Sequence, residues 1–308
     1  MGSSGGLFGG SGGGYSDSRT PYSRASSEVD KNSYEGKVNE ALQDNLADYN
    51  NRDTDKINTH IQTIQSAINS EDIVPCSMAF GGSIKKHTFI NGLSDVDMLA
   101  IINDPSLADK SPAEIREYFA DRVRQRLPST KVTTGNLAVT VEFSDGTKVQ
   151  ILPAQKTSTG VRIASEEGTS WSRVIHPEKF TDKLTNVNKN NSNGVVPTIK
   201  LYKAINSKMP KDAQLSGYHI ESIAINAFRF YEGSTSRKAM LTHLVDYASK
   251  AVLQPTSDNT GQSIHVDDSL GPANSYERQR ASASIQRVRE KIRLADEEQS
   301  KERWSELL

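Results

Sequence analysis

Two spacings of apolar residues alternate along the chain and predict two kinds of secondary structure. Between residues 33 and 70, apolar residues recur three and four positions apart, which predicts amphipathic helices. Between residues 71 and 152, short apolar runs separated by turn signals predict strands, with one helix starting after Ser111. From residue 197 to the end the helical spacing returns. The pattern therefore predicts an α+β fold in which helices follow a sheet.

A β-hairpin is predicted over residues 137–152. Ser144, Asp145 and Gly146 form a plausible three-residue loop in which the glycine takes a left-handed conformation. That loop would place Thr140 opposite Gln150 on the neighbouring strand. Pro153 is expected to end the ladder, because proline has no backbone N–H to donate.

Two helices, or one long kinked helix, are predicted before the first strand. Val38 and Leu46 belong to the first apolar stripe, and Ile61 and Ile68 belong to the second. We expect the apolar side of these helices to cover the sheet.

The chain is expected to divide into three parts. Residues 1–32 are rich in glycine and serine and poor in aliphatic residues, so this segment is predicted to be flexible. Residues 33–180 are predicted to form a lobe around the sheet. Residues 181–308 are predicted to form a helical lobe, with the candidate functional site in the cleft between the two.

Candidate chemistry lies where the first two predicted strands are connected. Gly82 and Ser83 stand at a strand-to-helix turn, where free backbone N–H groups can face an anion. Asp95 and Asp97 open the next strand, and their spacing puts both carboxylates on one face. Two such carboxylates can bind divalent cations, which prefer oxygen ligands. The combination suits phosphoryl or nucleotidyl transfer.

These motifs resemble those of a known family of enzymes. The glycine-serine turn followed by Asp-x-Asp is similar to the pattern of polymerase-β-like nucleotidyltransferases. Within them the chain resembles the bacterial cGAS/DncV-like branch, the CD-NTases. The segments that carry this resemblance are residues 82–83, 88–90, 92–97, 199–203, 215–221 and 261–272.

The resemblance implies a polymerase-β-like lobe plus a carboxyl-terminal helical lobe, and it implies roles for the candidate residues. Gly82 and Ser83 would contact a triphosphate. Asp95 and Asp97 would bind two Mg²⁺ ions, with Mn²⁺ as an alternative, for attack of a ribose hydroxyl on an α-phosphate. The implied activity is synthesis of a cyclic di- or trinucleotide second messenger in bacterial anti-phage (CBASS) signalling.

The helical part of the resemblance implies further nucleotide contacts. Lys203 would reach triphosphate oxygens, with Lys200 as the weaker candidate. Ser216 would bind a phosphate and Tyr218 would stack on a base. Gly217 departs from the family pattern, in which a second serine is common at this position, so a backbone group would replace one hydroxyl.

Gln150 is the more serious departure. It aligns with a strand position that carries Asp or Glu in the family, and together with Asp95 and Asp97 it is a candidate catalytic residue. Three explanations are open. Gln150 is native and two aspartates suffice; Glu142, on the same face, takes over; or Gln150 is an engineered replacement of glutamate. A catalytically impaired nucleotide-binding module therefore competes with an active enzyme, as does nucleotidyl transfer to a protein, RNA or small molecule.

The amino-acid composition limits the kinds of ligand and partner that we expect. The chain has 308 residues, with 37 basic and 38 acidic side chains, and this balance argues against activation by long DNA. Cys76 is the single cysteine, so a cysteine-based zinc site is excluded and a core position is expected. No membrane helix or signal peptide is visible, which predicts a cytoplasmic protein. The expected substrates are nucleoside triphosphates, and ATP is the leading candidate among them. The sequence does not identify a regulatory CBASS partner protein.

Overall fold

The structure is a computed structural model, and it describes most of the chain. The described residues are 30, 32–51, 53–69, 76–91, 93, 95–165, 167–258 and 265–308. Three predictions fall wholly or partly outside them: the flexible segment 1–32, the beginning of the first strand at residues 71–75, and the middle of the loop at residues 259–264.

The strands of the described ranges form one mixed sheet of six. They are β1 (Cys76–Phe80), β2 (Val96–Ile102), β3 (Lys131–Thr134), β4 (Val139–Glu142), β5 (Lys148–Lys156) and β6 (Val161–Arg162). The order is β1-β2-β5-β4-β3, with β6 paired to the far end of β5. β2 and β5 run parallel at the centre, and the other pairs are antiparallel. The mixed sheet with many helices confirms the predicted α+β class.

Helices precede, interrupt and follow the sheet. They are α1 (Tyr34–Asn50), α2 (Thr54–Ile68), α3 (Gly82–Lys85), α4 (Pro105–Ala108), α5 (Pro112–Arg126), α6 (Pro177–Asn190), α7 (Val195–Ser207), α8 (Gly217–Phe228), α9 (Arg237–Ala251), α10 (Tyr276–Glu297) and α11 (Lys301–Ser305). We call the sheet with α2–α5 the sheet lobe, and α1 with α6–α11 the helical lobe.

The core of the sheet lobe forms where α2 and α5 pack on the sheet. Helix α5 begins after Ser111, as predicted, with a capping box in which Ser111 and Glu114 bond each other's backbone N–H groups. Ile115, Phe119 and Val123 follow at spacing four and are fully buried. The predicted helix after Ser111 is therefore present, and its apolar residues at spacing four form the buried face.

The helical lobe has its own core, and α1 belongs to it. Val38, Leu42 and Leu46 belong to this core, in which α1 contacts α7, α9 and α11. Ile61, Ile64 and the other buried residues of α2 belong instead to the core of the sheet lobe. The expectation that both amino-terminal helices cover the sheet is therefore wrong for α1. An apolar stripe specifies which face is buried, but not which partner buries it.

Other local predictions were confirmed or corrected. The hairpin register pairs Thr140 with Gln150, and Gly146 has φ of 84° as expected. Pro153 does not end its strand: β5 continues to Lys156 because its pairing with β4 has already ended at Ile151, so a missing N–H is tolerated on that side. Buried Cys76 lies in β1 and its thiol pKa is raised to about 12 by burial. The last part of the predicted helical region forms two helices, α10 and α11.

Among the helices of the described ranges, none combines the length and the apolar character that crossing a bilayer demands.

Candidate active site

Asp95, Asp97 and Gln150 meet at the centre of the sheet. Asp95 directly precedes β2, and Asp97 is the second residue of that strand. In the parallel pairing of β2 with β5, Asp97 is the neighbour of Gln150. The side-chain amide of Gln150 donates a hydrogen bond to Asp95 Oδ2 at 2.6 Å. The structure therefore brings together the three residues predicted to be catalytic.

The Gly82–Ser83 turn lies directly against Asp97. Gly82 has φ of +45°, and a Cβ atom there would lie 1.7 Å from Asp97 Oδ2, so only glycine fits. The backbone N–H of Ser83 points at the same oxygen, at 3.3 Å. The predicted anion-binding turn and the predicted cation-binding carboxylate are thus in contact.

Burial raises the pKa of Asp97 above its ordinary value, and the carboxylates of Asp95 and Glu221 raise it further. The hydrogen bond from Ser83 and the positive charge of Lys86 act in the opposite direction. A buried carboxylate with a raised pKa gains stability from a nearby cation, because the cation replaces the lost hydration.

The oxygen atoms of this site suit a divalent cation, although only two of the side chains that supply them are charged. Asp95 and Asp97 supply two carboxylates, and the side-chain oxygen of Gln150 could add a neutral ligand. In the described ranges, the structure contains no cluster of three acidic, histidine or cysteine side chains that would hold a metal. Glu142 does not complete the site: it lies two residues further along β4 than Thr140 and pairs with Lys131 at 3.5 Å. That explanation of Gln150 is therefore wrong.

A polar cavity of about 430 Å³ separates these residues from the helical lobe. Gly82, Ser83, Asp95, Asp97 and Gln150 line one wall. The opposite wall comes from α7, α8 and the segment between them, and includes Lys203, Asn206, Ser207, Gln214, Leu215, Gly217, Tyr218, Ile220 and Glu221. The predicted cleft between a sheet and a helical lobe therefore exists.

Lys203 reaches the cleft but is fully engaged there. Its ammonium group bonds the carbonyl oxygen of Thr88 at 3.3 Å, the Thr88 hydroxyl at 3.2 Å and Glu221 Oε1 at 2.8 Å. Lys86 binds the other oxygen of Glu221. Burial by itself would raise the pKa of Glu221, but these two lysines hold it below its ordinary value.

Of the remaining predicted nucleotide-binding residues, Tyr218 lines the cavity, whereas Ser216 and Lys200 make other contacts. Tyr218 lines the cavity, its ring packs on Phe180 with centroids 4.7 Å apart, and its hydroxyl bonds Asp258. Ser216 caps α8 by accepting a hydrogen bond from the backbone of His219 at 3.1 Å. Lys200 points away from the other site residues, because its ammonium group bonds Asn50 at the end of α1.

A second, apolar cavity of about 340 Å³ adjoins the first. The two cavities share Gly82, Lys86, Asp97 and Tyr218. The remaining lining is mostly aliphatic and aromatic and includes Leu99, Leu152, Ile163, Ile175, Pro177 and Phe180. The site thus joins a polar compartment to one suited to a flat apolar group.

A family model also covers this site. Residues 37–188 match the Second Messenger Oligonucleotide or Dinucleotide Synthetase domain, abbreviated SMODS. The match contains the turn, both aspartates and Gln150. Residues 37–188 therefore form a SMODS domain, and the chain has the fold of the cGAS/DncV-like nucleotidyltransferases.

Solved structures of cGAS/DncV-like nucleotidyltransferases share the polymerase-β-like fold of this chain. CdnC of Escherichia coli MS115-1, in a structure with ATP, is 18% identical with a TM-score of 0.63, over 86% of this chain and 94% of that one. CdnG of Bradyrhizobium diazoefficiens, in complex with GTP, is 11% identical with a TM-score of 0.62, over 91% and 99%. DncV of Vibrio cholerae, a cyclic AMP-GMP synthase, is 11% identical with a TM-score of 0.55, over 85% and 82%. No curated protein matches the chain significantly.

Sequence reasoning missed three residues of this nucleotidyltransferase cleft. Lys86 could have been found from the sequence, because it lies only three residues after Ser83 and directly follows the predicted anion-binding turn. Glu221 stands inside the segment that carries the family resemblance, but its partner Lys86 is 135 residues away. Phe180 lies on α6, whose apolar positions were not assigned to a helix. The ion pair between Lys86 and Glu221 could not be found from the sequence, because residues paired over such a distance form no local pattern.

Proposed function

We propose that this nucleotidyltransferase joins nucleoside triphosphates into a cyclic di- or trinucleotide and releases pyrophosphate. One observation carries the proposal: Asp95 and Asp97 lie beside the Gly82–Ser83 turn on one wall of a cavity that reaches the helical lobe. A carboxylate pair and an anion-binding turn in contact are what attack on an α-phosphate requires. The solved structures of relatives with ATP or GTP support the substrate class.

The chain's own residues would bind and orient the reactants. Asp95 and Asp97 would hold the divalent cations, with Gln150 as a neutral neighbour. Mg²⁺, or Mn²⁺ in its place, supplies charge neutralisation at the α-phosphate and lowers the pKa of the attacking hydroxyl. The backbone at Gly82 and the hydroxyl of Ser83 would orient the triphosphate.

The apolar cavity suits the base of a bound nucleotide. Tyr218 presents an aromatic ring at the junction of the two cavities, with Phe180 packed behind it. Stacking of a base on an aromatic ring contributes about 1–3 kcal/mol and accepts any base. Ser216 and the backbone of Gly217, at the start of α8, would border the phosphates from the helical side.

The amide side chain of Gln150 is expected to lower the catalytic activity of this chain. Its amide donates a hydrogen bond to Asp95 Oδ2, so a cation-binding oxygen is occupied by an N–H group. A glutamate at this position would instead add an oxygen ligand and a negative charge. We therefore propose that Gln150 reduces turnover while nucleotide binding persists, whether the glutamine is native or engineered.

The resemblance also supplies a biological setting. We propose that the enzyme works in the cytoplasm in bacterial anti-phage (CBASS) signalling, with ATP as the first substrate and a regulatory partner protein that is not identified. One solved CdnC structure is a complex named CdnC:HORMA-deltaN, and that partner is a property of CdnC.

The test is an assay of product chemistry. Wild type and Gln150→Glu are incubated with isotope-labelled ATP, GTP, CTP and UTP and Mg²⁺, and products are read by mass spectrometry after phosphatase treatment. Phosphatase-resistant cyclic products, more abundant with Gln150→Glu, are expected. Label on an added protein, RNA or small molecule would favour transfer to an acceptor. No turnover in either variant would leave a nucleotide-binding module only.

A further inference from the structure

A cluster of buried charges joins the two lobes beside the phosphate-binding turn. It consists of Lys86 and Thr88 from the sheet lobe and Lys203 and Glu221 from the helical lobe, and we call it the cleft cluster. The side chains of Lys86, Lys203 and Glu221 are 13%, 11% and 1% exposed. Both lysines share the one carboxylate. Counted by themselves, these four residues carry one surplus positive charge, and Asp97 is a further carboxylate whose charge acts on Lys86.

The two lysines differ in what they have left to donate. An ammonium group has three N–H donors. Lys203 uses them on the Thr88 carbonyl, the Thr88 hydroxyl and Glu221. Within the described part of the chain, Lys86 donates one hydrogen bond, to Glu221. The donors that an incoming anion could take without breaking existing bonds are thus those of Lys86.

The position of Lys86 fits such an anion. It is one of the four residues that line both cavities, together with Gly82, Asp97 and Tyr218. Its ammonium group lies 5.4 Å from the centre of the Tyr218 ring. A nucleotide whose base reaches the apolar cavity and whose phosphates reach the turn must therefore pass Lys86.

We infer that Lys86 is a further nucleotide-binding residue, which contacts the triphosphate directly. Lys203 and Glu221 are positioning residues: Glu221 holds the Lys86 ammonium at the junction of the cavities, and Lys203 ties Glu221 to the Thr88 backbone. The ligand class is a nucleoside triphosphate, whose negative charge balances the surplus of the cleft cluster. This inference rests on the proposed function and refines it, because the lysine previously expected to bind the triphosphate is Lys203.

The test measures binding rather than turnover, so the effect of Gln150 does not interfere. The dissociation constants of α,β-methylene-ATP and of inorganic tripolyphosphate, each with Mg²⁺, are measured calorimetrically. The variants are Lys86→Met, Lys86→Arg and Lys203→Met. Lys208→Met is the matched control, because Lys208 is an exposed lysine at the end of the same helix as Lys203.

We expect Lys86→Met to weaken both ligands about tenfold or more, since a charge-assisted hydrogen bond to phosphate is lost. Lys86→Arg should stay within about threefold of wild type, because the charge and donors are retained. Lys203→Met should weaken binding less than Lys86→Met, and Lys208→Met should match wild type. Unchanged affinity in Lys86→Met, or a larger loss in Lys203→Met, would overturn the inference while leaving the proposed function intact. Failure of wild type to bind the analogue would overturn both.

A second measurement needs no variant. Acetylation of lysines in wild type is quantified by mass spectrometry with and without α,β-methylene-ATP. We expect the analogue to protect Lys86 severalfold and to leave Lys208 unchanged. Equal labelling of Lys86 in both conditions, at saturating analogue, would contradict direct contact.

Discussion

Two buried charge clusters are built on the same helix, α8, and they differ in how they balance charge. The cleft cluster sets two lysines against Glu221. Two residues earlier, His219 belongs to a second group with Asp267 and Arg278, which we call the helical-lobe cluster. In that cluster one guanidinium meets one carboxylate, and both side chains are completely buried.

The helical-lobe cluster is also satisfied by backbone. Arg278 donates to Asp267 Oδ2 at 2.7 Å and to the carbonyl oxygens of Val252, Gln254, Asp267 and Gly271. Arg278 therefore ties residues 252–254 to residues 267–271, and its charge is matched by that of Asp267. The cleft cluster has a surplus charge and lies at two cavities. The difference separates a cluster that stabilises the fold from one that is completed by an anion.

The largest effect on stability should come from Arg278→Met. Removing one partner of a fully buried pair leaves Asp267 uncompensated, which costs about 3–5 kcal/mol. Urea denaturation should show this loss in the free energy of unfolding. The affinity of the folded fraction for α,β-methylene-ATP should remain within about threefold of wild type. A stable Arg278→Met variant with lost nucleotide affinity would break the comparison.

The next effect should be a loss of stability in mild acid through His219. Burial, assisted by the charge of Arg278 and opposed by that of Asp267, lowers the pKa of His219 to about 4. Between pH 6.5 and 4 the unfolded chain therefore binds a proton that the folded chain does not, and stability falls by about 3 kcal/mol. Urea denaturation of wild type at pH 7 and pH 4.5 measures the fall.

The control for this prediction is His219→Gln, which keeps a polar side chain beside Asp267 and Thr256 but removes the titrating group. Glu221 and Asp267, whose pKa values are lowered in the folded protein, also lose their stabilising contribution when they are protonated, but mainly below about pH 4.5. The variant should therefore lose much less stability between pH 7 and pH 4.5. Equal losses in both proteins would exclude His219 as the cause.

A smaller effect is expected from Lys203→Met. Glu221 keeps Lys86 as a partner, so the buried carboxylate stays compensated and the loss of stability should be about 1–2 kcal/mol. Thermal denaturation with Lys208→Met as the reference measures this difference. Because a bound anion would balance the charge of the cleft cluster, α,β-methylene-ATP should strongly raise the stability of the wild-type protein against thermal denaturation. A loss as large as that of Arg278→Met would mean that both clusters are structural.

Local features of the site were accessible from the sequence. The i, i+2 spacing of Asp95 and Asp97 fixed their common face, and the hairpin loop at Gly146 fixed the pairing of Thr140 with Gln150. Period and turn geometry decide such features over a few residues. Local sequence signals also predicted the start of α5 after Ser111.

Features that depend on distant contacts were not accessible. The stripe on α1 was read correctly as buried, but its partners are in the helical lobe. Lys86 and Glu221 pair across the lobes, 135 residues apart, and nothing in either local sequence indicates the other. Lys203 was expected to be available for phosphate, whereas the folded cleft occupies its donors with Thr88 and Glu221.

The central claim is that the carboxylates beside the turn drive nucleotidyl transfer. The most direct measurement is the rate of pyrophosphate release from ATP and GTP with Mg²⁺, for Gln150→Glu and for Gln150→Glu with Asp97→Asn added. We predict steady release by the first and a loss of at least about a thousandfold in the second, because a neutral amide removes a cation-binding charge while the cleft stays folded. Equal rates in the two proteins would contradict the account.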